Sequence, residues 1–109
     1  MDDQRDVAGT ISTVLKKHGY DVETAYDGNE CLQKVENGRF RLIFLDIMLP
    51  GMSGDAIAKE LRKTYDSKIK IVYVTIKPKA EVDITDADGF IQKPFKIREI
   101  IREAEVMIA

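Results

Sequence analysis

The sequence predicts an α/β fold in which helices cover both faces of an open parallel sheet. Short apolar runs, of which residues 40–45 and 69–76 are the clearest, alternate with longer segments whose apolar residues recur at helical spacing. Strands that alternate with helices require parallel pairing and right-handed crossovers. A chain of 109 residues can bury a core of its own and is too short for a second domain of normal size, so we expect one domain over residues 1–109.

The N-terminal part predicts a helix followed by an edge strand. Apolar residues between positions 7 and 15 fall on one helical stripe, and Gly19 stands where a helix needs a left-handed terminator. Residues 20–26 begin with alternating side chains and contain aromatic and β-branched residues, a pattern typical of a strand near the edge of a sheet.

A capping box predicts the start of the second helix. Asp27 and Glu30 have the spacing at which side chains and backbone N–H groups satisfy each other at a helix N-terminus, and Gly38 closes the segment. Cys31, the one cysteine of the chain, fits this helix as a small buried hydrophobe. A lone cysteine allows no disulfide within the chain and suits a reducing cytoplasm.

The rest of the chain predicts three strands and two further helices. The strands are the apolar runs at residues 40–45 and 69–76 and a short segment at residues 89–92. Ser53 can cap the third helix. The apolar stripes of the third and last helices comprise Ile57, Leu61 and Tyr65 in one and Ile97, Ile100, Ile101, Ala104 and Ile108 in the other.

Composition argues against several classes of protein. The formal net charge of -2 gives no basic field that would attract nucleic acid or an anionic membrane. The first residues are acidic and polar, unlike a signal peptide, and the apolar runs are far shorter than a membrane span. We therefore expect a cytoplasmic protein with no direct nucleic-acid partner and no membrane insertion.

Polar side chains stand at the carboxyl ends of the predicted strands. Asp46, Thr75 and Lys93 each follow an apolar run, and Asp2 and Asp3 precede the first helix. In an open parallel sheet, ligands bind beyond the carboxyl ends of the strands, so these residues should converge on one edge. Without a cation, clustered carboxylates repel one another by up to about 4 kcal/mol per close pair. Carboxylate oxygens suit Mg²⁺, while a hydroxyl and an ammonium suit a phosphoryl group.

Four segments of the chain together resemble the receiver domain of two-component response regulators. They are residues 2–3, residues 42–54 with the sequence LIFLDIMLPGMSG, residues 72–75 and residues 88–95. They occur in the family's order and spacing over nearly the whole chain. The resemblance implies a CheY-like receiver with a flavodoxin-like sheet whose strand order is 2-1-3-4-5.

This resemblance implies a phosphoacceptor and a magnesium site. Asp46 would take a phosphoryl group from a phosphohistidine on a sensor histidine kinase. Asp3, Asp46 and the backbone carbonyl of Met48 would bind Mg²⁺, and Asp2 would support the ion through water. Metal and ammonium charge would neutralise the phosphoryl oxygens, so that a carboxylate can attack the phosphoryl group.

The resemblance also implies a switch. Thr75 would bond the phosphoryl oxygens and Lys93 would pair with them, while Phe90 occupies the family's switch position on the last strand. The added negative charge would draw Thr75 inward and change the affinity for a downstream protein target. The Lys93–Pro94 bond corresponds to the family's cis-prolyl junction.

Three features depart from the family pattern. Only Met1 precedes the acidic pair where the family has its first strand, so we expect a sheet without that strand, in a chain that is incomplete or borrows a strand from a neighbour. An exposed inner edge would favour a homodimer or a strand-swapped dimer. Residues 76–92 contain several helix breakers, which predicts a fourth helix of at most one or two turns. Ile76 is bulky and would restrict access to the phosphoryl site.

Two other functions remain open at this point. A degenerate receiver, acting as an interaction module without phosphorylation, fits the missing strand and the shortened switch region. A flavodoxin-like cofactor binder shares the architecture, but no glycine-rich phosphate loop follows a strand. A receiver assists its own phosphorylation and dephosphorylation and is not a conventional turnover enzyme.

Overall fold

The computed structural model describes residues 3–46, 54–65 and 68–108, with side chains from residue 8 onward. Within these ranges the chain forms four α-helices and three β-strands. The helices are α1 (Asp3–Lys17), α2 (Gly28–Asn37), α3 (Gly54–Tyr65) and α4 (Ile97–Ile108). The strands are β1 (Leu42–Asp46), β2 (Lys70–Thr75) and β3 (Gly89–Gln92).

The three strands form one parallel sheet in the order β1-β2-β3. Leu42 lies opposite Lys70 in the first pair, and Val72 lies opposite Gly89 in the second. Every residue of β2 after its first is buried, as expected for a central strand with helices on both faces. The observed fold is therefore the predicted open parallel α/β sheet.

Two apolar clusters hold the helices against the sheet. On one face, Ile71 and Tyr73 of β2 pack with side chains of α2 and α3. On the other face, Val72 and Val74 pack with side chains of α1 and α4. Their alternation follows from the strand geometry, which sends successive side chains to opposite faces. The helical residues of lowest exposure in the two clusters are Ile57, Ala58, Leu61, Ile100 and Ala104.

The ends of α1 and α2 follow the sequence signals. Gly19 has φ +89° and accepts the left-handed backbone after α1 without a side-chain clash. The carboxylate of Asp27 accepts a hydrogen bond from the Glu30 N–H at 2.8 Å, and the Glu30 carboxylate accepts one from the Tyr26 N–H at 2.6 Å. The predicted capping box is confirmed, with its return bond on the residue before Asp27.

The predicted edge strand at residues 20–26 is wrong. These residues have no sheet pairing. Together with β1 they line a cavity of about 750 Å³. A strand needs a neighbouring backbone that completes its ladder, and the structure describes no strand before β1. The local sequence pattern indicated an extended, partly buried segment but carried no information about its partner.

The connection between β2 and β3 is short, as predicted. Its helical content in the described chain is the single 3₁₀ turn Lys79–Glu81.

Ile97 lies on the predicted stripe of α4 but is 53% exposed, because it is the first residue of the helix, at the end of the packed layer. The predicted cap Ser53 lies outside the described residues. None of the helices in the described ranges has the length and apolar character needed to span a membrane.

Arg62 of α3 braces the chain that leads into β2 and β3. Its guanidinium donates to the carbonyl oxygens of Asp86 (3.0 Å) and Ile69 (2.8 Å) and to the carboxylate of Asp88. The Asp88 carboxylate also accepts a hydrogen bond from the Ile71 N–H at 2.9 Å. A network that joins a helix, a strand and a connection fixes where β3 enters the sheet.

Candidate functional site

Three of the residues expected to carry chemistry meet at the carboxyl edge of the sheet. Asp46 is the last residue of β1, Thr75 is the last of β2, and Lys93 directly follows β3. The ammonium nitrogen of Lys93 lies 3.0 Å from a carboxylate oxygen of Asp46. Residues separated widely in sequence are thus brought into direct contact, as parallel strand ends require.

The backbone of the sheet sets this geometry. Asp46 lies opposite Val74, so Thr75 stands one residue beyond Asp46 along the neighbouring strand. The Lys93 N–H donates to the Thr75 carbonyl at 2.7 Å, which continues the β2–β3 ladder past the end of β3. The Lys93–Pro94 peptide bond is cis, as the resemblance implied.

The Asp46–Lys93 pair is partly shielded from water. The Asp46 and Lys93 side chains are 16% and 15% exposed, respectively. At 3.0 Å the pair forms a charge-assisted hydrogen bond, and partial burial reduces screening by salt. The ammonium is therefore placed to neutralise an anion that approaches the carboxylate of Asp46.

Thr75 presents a buried hydroxyl at the same edge. Its side chain is 1% exposed. The hydroxyl oxygen accepts a hydrogen bond from the backbone N–H of Lys77 at 3.2 Å. This contact closes a turn directly after β2 and holds the hydroxyl in place. Sequence reasoning missed Lys77, although a threonine at a strand end commonly bonds the N–H two residues later.

The other residues predicted to belong to the site are Phe90, Asp2, Asp3 and Met48, and the structure does not describe any of them in contact with Asp46 or Lys93. Phe90 of β3 is partly buried and packs against the cluster on the α2 and α3 face, opposite Tyr73 in the strand register. Asp3 begins α1, but its side chain lies outside the described atoms, as do Asp2 and Met48 entirely. Among the side chains that the structure describes, no three metal-ligating groups are clustered.

Ile76 points toward solvent in this structure. It follows Thr75 directly and is 62% exposed. A single exposed aliphatic side chain is common on protein surfaces, so the exposure by itself assigns no role to Ile76. Its predicted effect on access to the site remains a prediction.

Comparison with known proteins gives consistent results. The model of the response regulator receiver domain family matches residues 1–105. The receiver domain of NtrX from Brucella abortus superimposes with a TM-score of 0.89 and 29% identity, over 98% of this chain and 93% of that one. The response regulator TrrA from Thermotoga maritima, solved in complex with Mg(2+)-BeF, gives 0.87 and 30% identity over 97% and 93%. The chemotaxis response regulator CheY4 of Vibrio cholerae gives 0.86 and 31% over 97% and 92%.

The chain belongs to the response regulator receiver domain family. The fold, a parallel sheet with helices on both faces, is the one shared with these CheY-like structures. Members of the family are signalling modules of two-component systems and not conventional enzymes.

Proposed function

We propose that this protein accepts a phosphoryl group on Asp46 from a phosphohistidine of a sensor histidine kinase. The observation that carries the proposal is the 3.0 Å contact between the Asp46 carboxylate and the Lys93 ammonium at the carboxyl edge of the sheet. In the transfer, a carboxylate oxygen of Asp46 bonds to phosphorus while the phosphorus–nitrogen bond of the donor breaks. The bonding electron pair stays on the imidazole nitrogen, and the product is an acyl phosphate.

Charge is the main obstacle to this reaction. A carboxylate and a phosphoryl group are both anionic, so their approach needs positive charge fixed in advance. Lys93 supplies one such charge from a position that the β2–β3 ladder holds. Because this ammonium already contacts Asp46, little reorganisation is needed when the phosphoryl group arrives.

A divalent cation fits the donor chemistry of this edge. Asp46 offers, at the end of β1, the hard oxygen donor that Mg²⁺ prefers. In our proposal Asp3 and the Met48 carbonyl complete the ligands and Asp2 acts through water. Bound Mg²⁺ would supply a second positive charge for the phosphoryl oxygens. The complex of TrrA with Mg(2+)-BeF supports this assignment.

Thr75 and Phe90 would convert the added charge into a change of shape. A phosphoryl oxygen on Asp46 would accept a hydrogen bond from the Thr75 hydroxyl, which the Lys77 N–H now holds at 3.2 Å. Movement of Thr75 would open space for the Phe90 ring, which is only partly buried. The partners in this proposal are a histidine kinase and a downstream protein, and no direct contact with nucleic acid is expected.

The proposal includes a cytoplasmic location and allows pairing with a second copy. The unpaired Cys31 fits a reducing compartment. A receiver of this kind assists its own phosphorylation and dephosphorylation. We therefore expect the isolated protein to lose the phosphoryl group by hydrolysis, without turnover of a separate substrate.

Intact mass spectrometry after incubation with acetyl phosphate and Mg²⁺ tests the proposal. We expect a gain of one phosphoryl group that Asp46→Asn abolishes and that requires the cation. Lys93→Ala should slow the gain by at least about tenfold, since it removes a charge that contacts the acceptor. The matched control is Asp83→Asn, which changes an exposed aspartate whose recorded bonds are to Thr85.

Two results would contradict a phosphoacceptor role for Asp46. One is a phosphoryl adduct that survives in Asp46→Asn, and the other is a folded wild-type protein that gains no phosphoryl group and shows no response to beryllofluoride. The second result would favour an interaction module that works without phosphorylation. The cavity beside β1 is the structural feature that makes this alternative worth testing.

A further inference from the structure

The connection between β2 and β3 contains a run of exposed residues whose charges change sign at its centre. Residues 76–84 have the sequence IKPKAEVDI. All of them are exposed except Val82, which is partly buried and packs against the cluster on the α2 and α3 face. Two lysines precede Ala80 in this run, and two carboxylates follow it. The segment is therefore basic in its first half and acidic in its second half.

This segment is complementary to a second copy of itself that runs in the opposite direction. A twofold axis beside Ala80 matches each residue before it with the residue equally far beyond it in the other copy. The matched pairs are Lys77 with Asp83, Lys79 with Glu81, Ile76 with Ile84 and Pro78 with Val82. Each cation is matched with an anion, and each apolar residue is matched with an apolar one. A surface that complements itself in this way is what an isologous dimer requires.

The backbone and side-chain bonds of the connection hold the segment in a defined shape. The Glu81 N–H donates to the Pro78 carbonyl at 2.9 Å and closes the 3₁₀ turn at the centre of the segment. Beyond the turn, the Asp83 carboxylate accepts hydrogen bonds from the N–H of Thr85, at 2.9 Å, and from its hydroxyl. Val82 fastens the segment to the core. Pairing therefore costs less conformational entropy than the ordering of a mobile loop.

The charged side chains of the segment can reach a partner. Within the described ranges, Lys77, Lys79 and Glu81 form no ion pair. Hydrogen bonds from Thr85 lower the pKa of the Asp83 carboxyl, and the charge of Lys59 on α3 lowers it further. All four groups of the segment are thus charged at neutral pH and can pair across a twofold axis.

The size of the segment predicts a weak dimer. The nine residues 76–84 are fewer than the roughly 20–30 residues that each partner contributes to a stable interface of standard size. Exposed ion pairs contribute little each, and salt screens them. We therefore expect a Kd on the order of 100 μM at low ionic strength. Raising the ionic strength should weaken the dimer.

We propose that two copies of this chain pair through residues 76–84, in opposite directions around a twofold axis beside Ala80. The ammonium groups of each copy bond to the carboxylates of the other, and Ile76 packs against Ile84 of the other copy. A uniformly charged partner such as a nucleic acid would match one half of the segment and repel the other. This pairing goes beyond the proposed phosphoryl transfer and does not depend on it.

Sedimentation velocity of charge-reversal variants tests the proposal on the 109-residue chain. The double change Lys77→Glu with Lys79→Glu makes the segment acidic throughout, and Glu81→Lys with Asp83→Lys makes it basic throughout. Each variant alone should associate at least about tenfold more weakly than the wild type, because like charges then meet. An equimolar mixture of the two should form a heterodimer about as tight as the wild-type dimer, because every opposite-charge pair is restored.

Two further variants separate the matched pairs from the net charge. Reversal of all four charges in one chain restores the match, so this variant should dimerise like the wild type. Lys63→Glu with Lys68→Glu makes the same change in net charge as the acidic variant, at exposed positions outside the segment, and should leave the dimer unchanged. Urea unfolding establishes that every variant folds.

A pair of apolar variants tests the contact at the ends of the segment. Ile76 and Val106 are both 62% exposed, but Val106 belongs to α4. Ile76→Ser should weaken the dimer several-fold, and Val106→Ser should not. These assays contain no Mg²⁺ or phosphodonor, so their outcome does not depend on phosphorylation of Asp46.

Three outcomes would overturn the proposal. A folded wild-type protein that stays monomeric at about 1 mM and low ionic strength would show that the segment does not pair with itself. A dimer that both charge reversals leave intact would place the contact on another face. Loss of the dimer in both reversals without recovery in their mixture would show that the charges are not matched across the two copies.

Discussion

The two sides of the central strand β2 differ in how completely they are packed. On the closed side, which we define as β2, β3, α3 and the Arg62 network, β2 pairs with β3 and Ile71 is fully buried. On the open side, defined as the outer edge of β1, residues 20–27 and α1, a cavity of about 750 Å³ replaces further pairing. Both sides carry apolar residues at strand or helix spacing. The difference in packing therefore arises because one side has a paired neighbouring strand and the other does not, and not because one side is less hydrophobic.

The candidate site lies at the boundary between these two sides. Asp46 belongs to β1, whose outer edge is open, while Lys93 and Thr75 belong to the closed side. The Lys93–Asp46 contact at 3.0 Å therefore links Asp46 to the well-packed part of the molecule.

Truncation of core isoleucines should show the largest effect and the clearest contrast. Ile71→Ala, in β2, should lower the free energy of unfolding by about 4 kcal/mol, because it leaves a new void among fully buried neighbours. Ile11→Ala, in α1, should cost about 2 kcal/mol, because Ile11 already borders the cavity and has fewer contacts to lose. Urea denaturation of each variant measures the difference.

A helical control separates packing from secondary-structure preference in this comparison. Ile100 of α4 belongs to the same cluster as Ile11 and is fully buried. Ile100→Ala should cost about 4 kcal/mol, although alanine favours a helix there as much as it does at Ile11. Equal costs at Ile100 and Ile11 would mean that the cavity is closed in solution, and the contrast between the two sides would be lost.

Arginine substitutions should show the next largest effect. Arg62→Met should lower the free energy of unfolding by about 2–3 kcal/mol, because it removes three donors and leaves the Asp88 carboxylate without its cation. Arg41→Met, near the open edge, should cost at most about 0.5 kcal/mol, because Arg41 is exposed and donates to the Ile108 carbonyl at the end of α4.

The pH dependence provides a control for the Arg62 network. Although burial opposes it, hydrogen bonds from Arg62 and from the Ile71 N–H lower the pKa of Asp88 below its ordinary value. A carboxyl whose pKa is depressed in the folded state stabilises the fold above its unfolded pKa, and this contribution is lost as the pH falls through the folded value. Arg62→Met should therefore reduce the loss of stability on acidification. If Arg62→Met lost as much stability on acidification as the wild type, Arg62 would not be bonded to Asp88 in solution.

The sequence predicted those features that depend on local spacing. The Asp27–Glu30 cap and the turn at Gly19 follow from patterns within a few residues. So does the buried strand predicted at residues 69–76, which the structure has at Lys70–Thr75 with Ile76 exposed beyond it. It failed at residues 20–26, because pairing depends on a partner that the local pattern does not specify. Periodicity also failed to predict the exposure of Ile97, which depends on where the packed layer ends.

The same distinction applies to the candidate site. The meeting of Asp46, Thr75 and Lys93 could be predicted, because parallel strands end at one edge of a sheet. The brace between Arg62 and Asp88 could not, because it joins residues from separate elements through side-chain geometry that no sequence pattern encodes. The alternation of strands and helices in the sequence predicts the topology of the sheet, but it does not predict individual side-chain hydrogen bonds between elements.

Tyr73→Phe should show the smallest effect, and it probes the one polar defect recorded on the closed side. The Tyr73 hydroxyl is buried and has no hydrogen-bond partner among the described residues. An unsatisfied buried hydroxyl opposes folding, so its removal should raise the free energy of unfolding by about 1 kcal/mol at neutral pH. Tyr65→Phe, at a partly buried position of α3, is the matched control and should change stability less.

The stability of the protein at alkaline pH then shows whether the Tyr73 hydroxyl also lacks a hydrogen-bond partner in solution. Burial, with a contribution from the nearby Asp86 and Asp55 carboxylates, raises the pKa of Tyr73 from 10.0 to about 12. Between these two values the unfolded chain releases the phenolic proton while the folded protein keeps it, so wild-type stability falls as the pH rises, by up to about 1.4 kcal/mol per pH unit. Tyr73→Phe should lack this part of the alkaline loss, and Tyr65→Phe should retain it. The contrary result is that Tyr73→Phe lowers stability at neutral pH and loses stability at alkaline pH as the wild type does. That result would mean that the Tyr73 hydroxyl has a hydrogen-bond partner in solution and that the closed side is packed more tightly than the structure indicates.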